Sequence, residues 1–296
     1  MKISKDFDPA MQLQQIDANS RKKFWHDIWF VKFLPVFGWC VWFFVAFFAA
    51  QFIVSLTISF VAKALNWNVK DLSDLADAII ECALYVLLIV LFIFIPMRFL
   101  QRRASKKDLA IKSEISVGSS RNFAKNFREV TGLSRRPKIS DFGWTLYFIP
   151  IFYFVLLLAD LLASWIFGSN VMSQTQTLSF QNATDPLQLW IIGLILCVVA
   201  PIAEEILLRG FLFTKIREKL HGAAGFWLTA VIVSSVFAVA HGQINVGIMT
   251  FVLSMCNSKI RENSGVIYGA ILLHASVNFL SFAVRYLGLL HGISGF

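Results

Sequence analysis

The 296-residue chain is 57% hydrophobic and only 15% charged, with 30 phenylalanines and a mean hydropathy of +0.67, a balance that excludes an ordinary soluble globule, which could not hide so much apolar surface. The net charge of +9 would suggest nucleic acid in a soluble protein. Here Lys and Arg gather in a few stretches between charge-poor runs of about 20 residues, so membrane topology and anionic lipid headgroups account for them and no nucleic-acid partner is expected. Cys40, Cys82, Cys197 and Cys256 lie far apart in or beside apolar runs, with neither a disulfide framework nor a CxxC metal site in sight.

Residues 1–33 form a polar, then aromatic segment with no short apolar run ending in a small-residue cleavage site, so no removable signal peptide is expected. The stretch Phe24-Trp25-His26-Asp27-Ile28-Trp29 is suited to the membrane interface. The next unit, 34–141, holds two apolar runs, 34–62 and 78–100, and then a basic segment from 101 to 141. That segment carries Arg102, Arg103, Lys106, Lys107, Lys112, Arg121, Lys125, Arg128, Arg135, Arg136 and Lys138 against few acids, and the positive-inside rule makes it a cytoplasmic loop. The N-terminus is then cytoplasmic as well.

The third unit, 142–290, opens with a run over 142–168. Trp144 and Trp165 bracket it, 21 residues and about 31 Å apart along a helix, which matches the hydrocarbon thickness. The loop 169–186 lacks Lys and Arg and is expected outside; its Asn182-Ala183-Thr184 fits a glycosylation sequon, a pattern common by chance. A fourth run starts near Leu187 and passes Glu204 and Glu205 to the basic residues Lys215, Arg217 and Lys219. A fifth covers 223–241, and a sixth, 244–257, is short for a span and suits a tilted, buried or re-entrant segment. A seventh runs from 265 to 284. The fold class expected is all-α, a polytopic membrane bundle of seven helices around a polar cavity, with an eighth if the first run or the N-terminal stretch is split. No internal repeat is visible, which argues against a transporter.

Ionisable residues inside a membrane are costly unless paired or wet, and each is therefore a functional candidate. They concentrate in the last third. Glu205 and Arg209, four residues apart, can form a salt bridge on one helix face. Glu204 falls on a neighbouring face without a local partner, as suits a carboxylate that takes and returns a proton; the alternative is a charge cluster that only locks helices together. His241 ends the apolar stretch Phe237-Ala238-Val239-Ala240. His274 and Asn278, again four apart, share a face and can both donate hydrogen bonds, either to an oxyanion or to a backbone carbonyl across a helix interface. Glu81 and Asp160 are also costly in lipid but are expected to be held in the bundle or near its aqueous edge rather than in the chemistry, and His26, His221 and His291 are expected to do nothing chemical.

In order, Glu-Glu-x-x-x-Arg, Phe-x-x-x-His and His-x-x-x-Asn on separate membrane helices resemble the CPBP intramembrane proteases, also called the CAAX amino-terminal protease or Abi family. The resemblance spans 204–278, and the first half of the chain adds only compatible hydrophobicity. It implies an endopeptidase acting on a membrane-associated or lipidated peptide or protein, with Glu204 as the base that activates water and His241 helping to hold it. His274 and Asn278 would form the oxyanion hole, and Glu205 and Arg209 the supporting pair. No cofactor is expected; a divalent metal such as zinc is the alternative, since two Glu and two His are present but not in a compact HExxH motif. A second reading is a non-catalytic bacteriocin-immunity or peptide-binding protein that uses the same cavity. Nothing in the sequence sets an oligomeric state, and membrane lipids are the one partner certain from composition.

If the fourth and fifth runs turn near His221-Gly222, Glu204 and His241 each lie roughly 28 Å from the turn and stand level. The cavity between them is expected to open toward the cytoplasmic side.

Overall fold

The computed structural model describes residues 33–66, 74–109, 119–168 and 185–290. The interfacial N-terminal stretch with His26, the sequon at 182–184, and His291 lie outside them. Among the described residues there are eight helices and no strand. α1 is Leu34–Leu65; α2 is one continuous helix made of Asp74–Ile89, a π-helical turn Val90–Phe94, and Ile95–Leu109; α3 is Ser119–Val130; α4 is Ile139–Phe167. α5 spans Pro186–Arg217, α6 Gly222–Ala240, α7 Ile244–Ser264 and α8 Tyr268–Leu290.

Five of these, α1, α2 over Ala76–Arg102, α4, α5 and α6, are long and apolar enough to cross a membrane, and the Tyr268–Val284 part of α8 is a shorter apolar helix. Their burial differs sharply. The most apolar window of α5 is 56% buried and that of α1 only 11%, and residues such as Phe48, Phe52, Phe60, Leu146, Phe154 and Trp165 are exposed. In a membrane bundle such faces meet lipid, so α1, α2 and α4 form the outer wall and α5 the centre. One apolar cluster joins α1, α2, α5 and α6 around Phe43, Phe92, Phe211 and Phe237, and a second joins α4, α7 and α8 around Phe152, Leu253 and Leu273.

Local chemistry sets the helix ends. Asn66 stops α1 in the left-handed conformation at φ 51°, an arrangement asparagine tolerates better than most residues. Asp185 caps α5 by accepting the Gln188 N–H at 3.2 Å, with Pro186 at the first helical position where its missing N–H costs nothing. Asp141 accepts the Lys138 N–H at 2.8 Å and takes both Arg135 guanidinium nitrogens at 2.7 and 2.6 Å, which pins the chain entering α4. Gly265, at φ 72°, ends α7.

Two of the three π turns have a common cause. In α2 the Ile95 N–H reaches Val90 O, and in α5 the Ala200 N–H reaches Ile195 O, five residues back in each case. The next residues are Pro96 and Pro201. A proline in a regular helix clashes with the carbonyl four residues before it, and the wider turn relieves that clash. Its cost is one unclaimed carbonyl: Leu196 O would have bonded residue 201, which has no N–H.

Three expectations are corrected. The basic segment after 100 is not a simple loop, because α2 continues to Leu109 and α3 forms within it. Phe123 of α3 packs its ring 5.0 Å from Phe94, and the Arg98 guanidinium lies 4.2 Å from the Phe123 centroid; the apolar pattern of this short helix is diluted by its charges. Among the described residues the first run is one unbroken helix and the eighth helix is α3 of this segment; the N-terminal stretch lies outside them. The sixth run extends past 257 to Ser264 in α7, and of the tilted, buried or re-entrant alternatives the buried one holds: Ser254, Asn257 and Ser258 are fully buried against protein, so apolarity underestimates the length of a helix surrounded by other helices rather than by lipid.

Two glycines allow close approach. A Cβ on Gly210 of α5 would sit 2.5 Å from the Thr131 carbonyl oxygen, and one on Gly269 of α8 would sit 2.4 Å from that of Asp141. Both contacts are backbone and cannot rotate away. Gly210→Ala is expected to lower stability by about 1–3 kcal/mol, read as a lower unfolding temperature in detergent; an unchanged temperature would mean that the α3–α4 linker shifts freely.

Candidate active site

The polar residues of the three motifs meet between the two apolar clusters. Glu205 and Arg209, both with 0% side-chain exposure, pair at 3.1 Å, one helical turn apart on α5. Glu205 Oε1 also accepts from Asn257 Nδ2 of α7 at 2.9 Å and faces His274 Nδ1 of α8 at 2.9 Å. The other side of the guanidinium lies 5.1 Å from the Phe237 ring centroid. That ring stands edge-on to His241 at 4.7 Å and to His274 at 5.9 Å. Phe237 thus touches all three motifs, and α5, α6, α7 and α8 are tied at one level.

Glu204 points to a different environment. It lines a cavity of about 230 Å³ together with Glu81, Tyr85, His241, Phe43 and Phe47, so α1 and α2 form one wall and α5 and α6 the other. Glu204 Oε1 accepts from the Tyr85 hydroxyl at 2.5 Å, and Oε2 lies 3.6 Å from His274 Nε2. The carboxylate that lacks a partner in its own segment is held from a helix 119 residues away in sequence.

The histidines are oriented by what they face. His241 Nδ1 is 2.8 Å from Phe237 O; a carbonyl only accepts, so Nδ1 carries the proton and the neutral ring keeps Nε2 as an acceptor. His274 Nδ1 faces a carboxylate in the same way. Its Nε2 can donate to an oxyanion only in the charged ring, whose counter-charges are the carboxylates on either side. Asn278 Nδ2 donates to Leu196 O at 2.9 Å, the carbonyl left unclaimed by Pro201. One amide hydrogen is thereby committed, and the second remains with its direction fixed.

The structure therefore brings Glu204 and His241 to one cavity, sets His274 between the two glutamates, and places Asn278 one turn further along α8 against α5. Glu81 is on the cavity wall, closer to Glu204 than its sequence position suggested. Tyr85, Asn257 and the hub role of Phe237 are absent from the sequence reading. A signal for Tyr85 was available in Glu81-Cys82-Ala83-Leu84-Tyr85, two polar groups one turn apart in an apolar helix. Among the described residues no group of three or more His, Cys, Asp or Glu is arranged to hold a metal ion, and all four cysteines are free.

Residues 186–280, from the start of α5 into α8, match the family model described as Type II CAAX prenyl endopeptidase Rce1-like. Over this segment the chain is similar to the Rce1-like family. The matched segment contains all three motifs, and at family level the similarity is to CAAX-type endopeptidases; the apolar helices are those of a multi-pass membrane protein. α1 and α2, which close the cavity opposite Glu204, lie outside the match. No curated protein and no solved structure matches the chain.

Proposed function

We propose that the chain is a glutamic intramembrane endopeptidase that hydrolyses a membrane-associated or lipidated peptide or protein without a metal. The observation that carries the reading is the shared cavity of Glu204 and His241, with His274 Nε2 3.6 Å from the Glu204 carboxylate. Glu204 takes a proton from water, and His241 Nε2 accepts the water's second hydrogen and holds its oxygen toward the scissile carbonyl. His274 and Asn278 donate to the oxyanion of the tetrahedral intermediate. Glu205, Arg209, Asn257 and Phe237 hold these groups in register and take no part in proton transfer.

The aromatic and aliphatic wall from Phe43, Phe47, Leu84 and Leu88 suits an apolar substrate segment or lipid chain beside the cleaved bond. The basic ends of α2, α3, α5 and α7 support, under the positive-inside rule, a reading in which this end of the bundle and the N-terminus face the cytoplasm across a cell membrane.

The test that also names the substrate compares membrane peptides and processed protein termini in cells carrying wild-type or Glu204→Ala protein. Termini that vanish in the variant identify the substrate; identical profiles sink the peptidase reading in favour of a peptide-binding or immunity protein. Treating purified protein with EDTA or 1,10-phenanthroline should leave cleavage unchanged. Inhibition reversed by added zinc would replace the metal-free mechanism with a metal-assisted one.

A further inference from the structure

We propose that Tyr85 is a positioning residue for the general base, and that it selects which Glu204 oxygen reacts. The inference rests on Glu204 being the base and extends the site to α2, outside the segment that matches the Rce1-like family. Tyr85 lies one turn from Glu81 on the cavity wall, and its hydroxyl donates to Glu204 Oε1 at 2.5 Å. A phenol can give only one hydrogen, and this bond directs it to Oε1, which restrains the carboxylate's rotation and lowers the basicity of Oε1 relative to Oε2. Oε2 lies beyond hydrogen-bond distance of His274 Nε2, at 3.6 Å, and is the oxygen better disposed to take a proton.

The step is balanced without a further reactant. A water O–H bond breaks as its proton passes to Oε2, and the water oxygen forms a bond to the carbonyl carbon. The tetrahedral intermediate then collapses with cleavage of the C–N bond, and the proton on Oε2 passes to the departing amine. Glu204 ends ionised, with Tyr85 still donating to Oε1. Because Tyr85 grips the base throughout, its loss lets the carboxylate rotate away from the line between water and carbonyl. Substrate contacts at the remaining wall are unchanged.

The experiment is steady-state cleavage of an internally quenched, prenylated CAAX peptide by the full-length protein in detergent. Tyr85→Phe is isosteric and expected to fold; it should lower kcat on the order of 10- to 100-fold, the range for losing a hydrogen bond to a charged group, with KM within about two-fold of wild type. An unchanged kcat, or a matching rise in KM, overturns the positioning role. Binding of the same peptide to Glu204→Gln and to Glu204→Gln/Tyr85→Phe should be equal, and weaker binding by the double variant would instead make Tyr85 a substrate contact. Cleavage retained by Glu204→Gln alone defeats the base assignment itself, whereas cleavage lost in Glu204→Gln but unaltered in Tyr85→Phe defeats only the present proposal.

Discussion

Glu204→Gln should abolish cleavage and leave the fold intact. Glutamine keeps the shape of the side chain and a carbonyl oxygen for the Tyr85 hydroxyl, but cannot accept the water proton. Removing a general base costs about 10²- to 10⁴-fold in rate, so kcat should fall by at least that range while peptide binding persists. Stability should change little because Glu204 keeps 16% side-chain exposure on a cavity and is not the partner of Arg209. The measurement is cleavage alongside thermal unfolding in detergent. Activity within ten-fold of wild type would remove Glu204 as the base, and unfolding would make the residue structural.

The second large effect is expected at the neighbouring Glu205–Arg209 pair, with the opposite signature. Arg209→Met removes the permanent cation that faces fully buried Glu205, leaving its carboxylate only Asn257 and His274, a ring it shares with Glu204. Breaking a buried ion pair by deleting one partner costs about 3–5 kcal/mol, chiefly because the remaining charge is stranded. Unfolding temperature and cleavage should therefore fall together. Glu205→Gln/Arg209→Met, which removes both charges, should recover much of the stability. If Arg209→Met proves as stable as wild type, the pair is not what ties α5 to α7 and α8. The expected results separate two roles within one motif: activity lost without unfolding at Glu204, and lost through unfolding when the Glu205–Arg209 pair is broken.

The pairing of the glutamates with different tasks explains why α5 is built so irregularly. Its π turns at Ile195–Val199 and Ile206–Leu212 flank Ala200–Glu205, the short regular piece that carries both carboxylates. The first turn accommodates Pro201 and exposes Leu196 O, which Asn278 claims. The second carries Arg209, and within it Gly210 lets the backbone of Thr131 approach. π turns recur at functional sites because they shift side-chain direction without ending the helix. Here the first one also creates the acceptor that positions a candidate oxyanion donor. The expectation that Asn278 would serve either an oxyanion or a carbonyl across a helix interface resolves into one bond of the second kind, with a hydrogen to spare for the first.

The sequence alone determined what the bilayer enforces. A chain so apolar must span the membrane as helices, since lipid offers no partner for unpaired backbone groups, and the costly charges inside those helices had to be paired or functional. That logic singles out Glu204, Glu205, Arg209, His241 and His274, while four-residue spacing pairs Glu205 with Arg209 and sets Asn278 on the face of His274. Tertiary structure decided everything that depends on neutral residues meeting across long separations. Tyr85 meets Glu204 across 119 residues, Asn278 meets Leu196 across 82, and Asn257 meets Glu205 across 52. Tyrosine and asparagine carry no charge penalty that would mark them in a hydrophobic run, and their partners are fixed by the packing of α2, α7 and α8 around α5. Helical periodicity reports which face a residue shares, and only the packed bundle reports what that face meets.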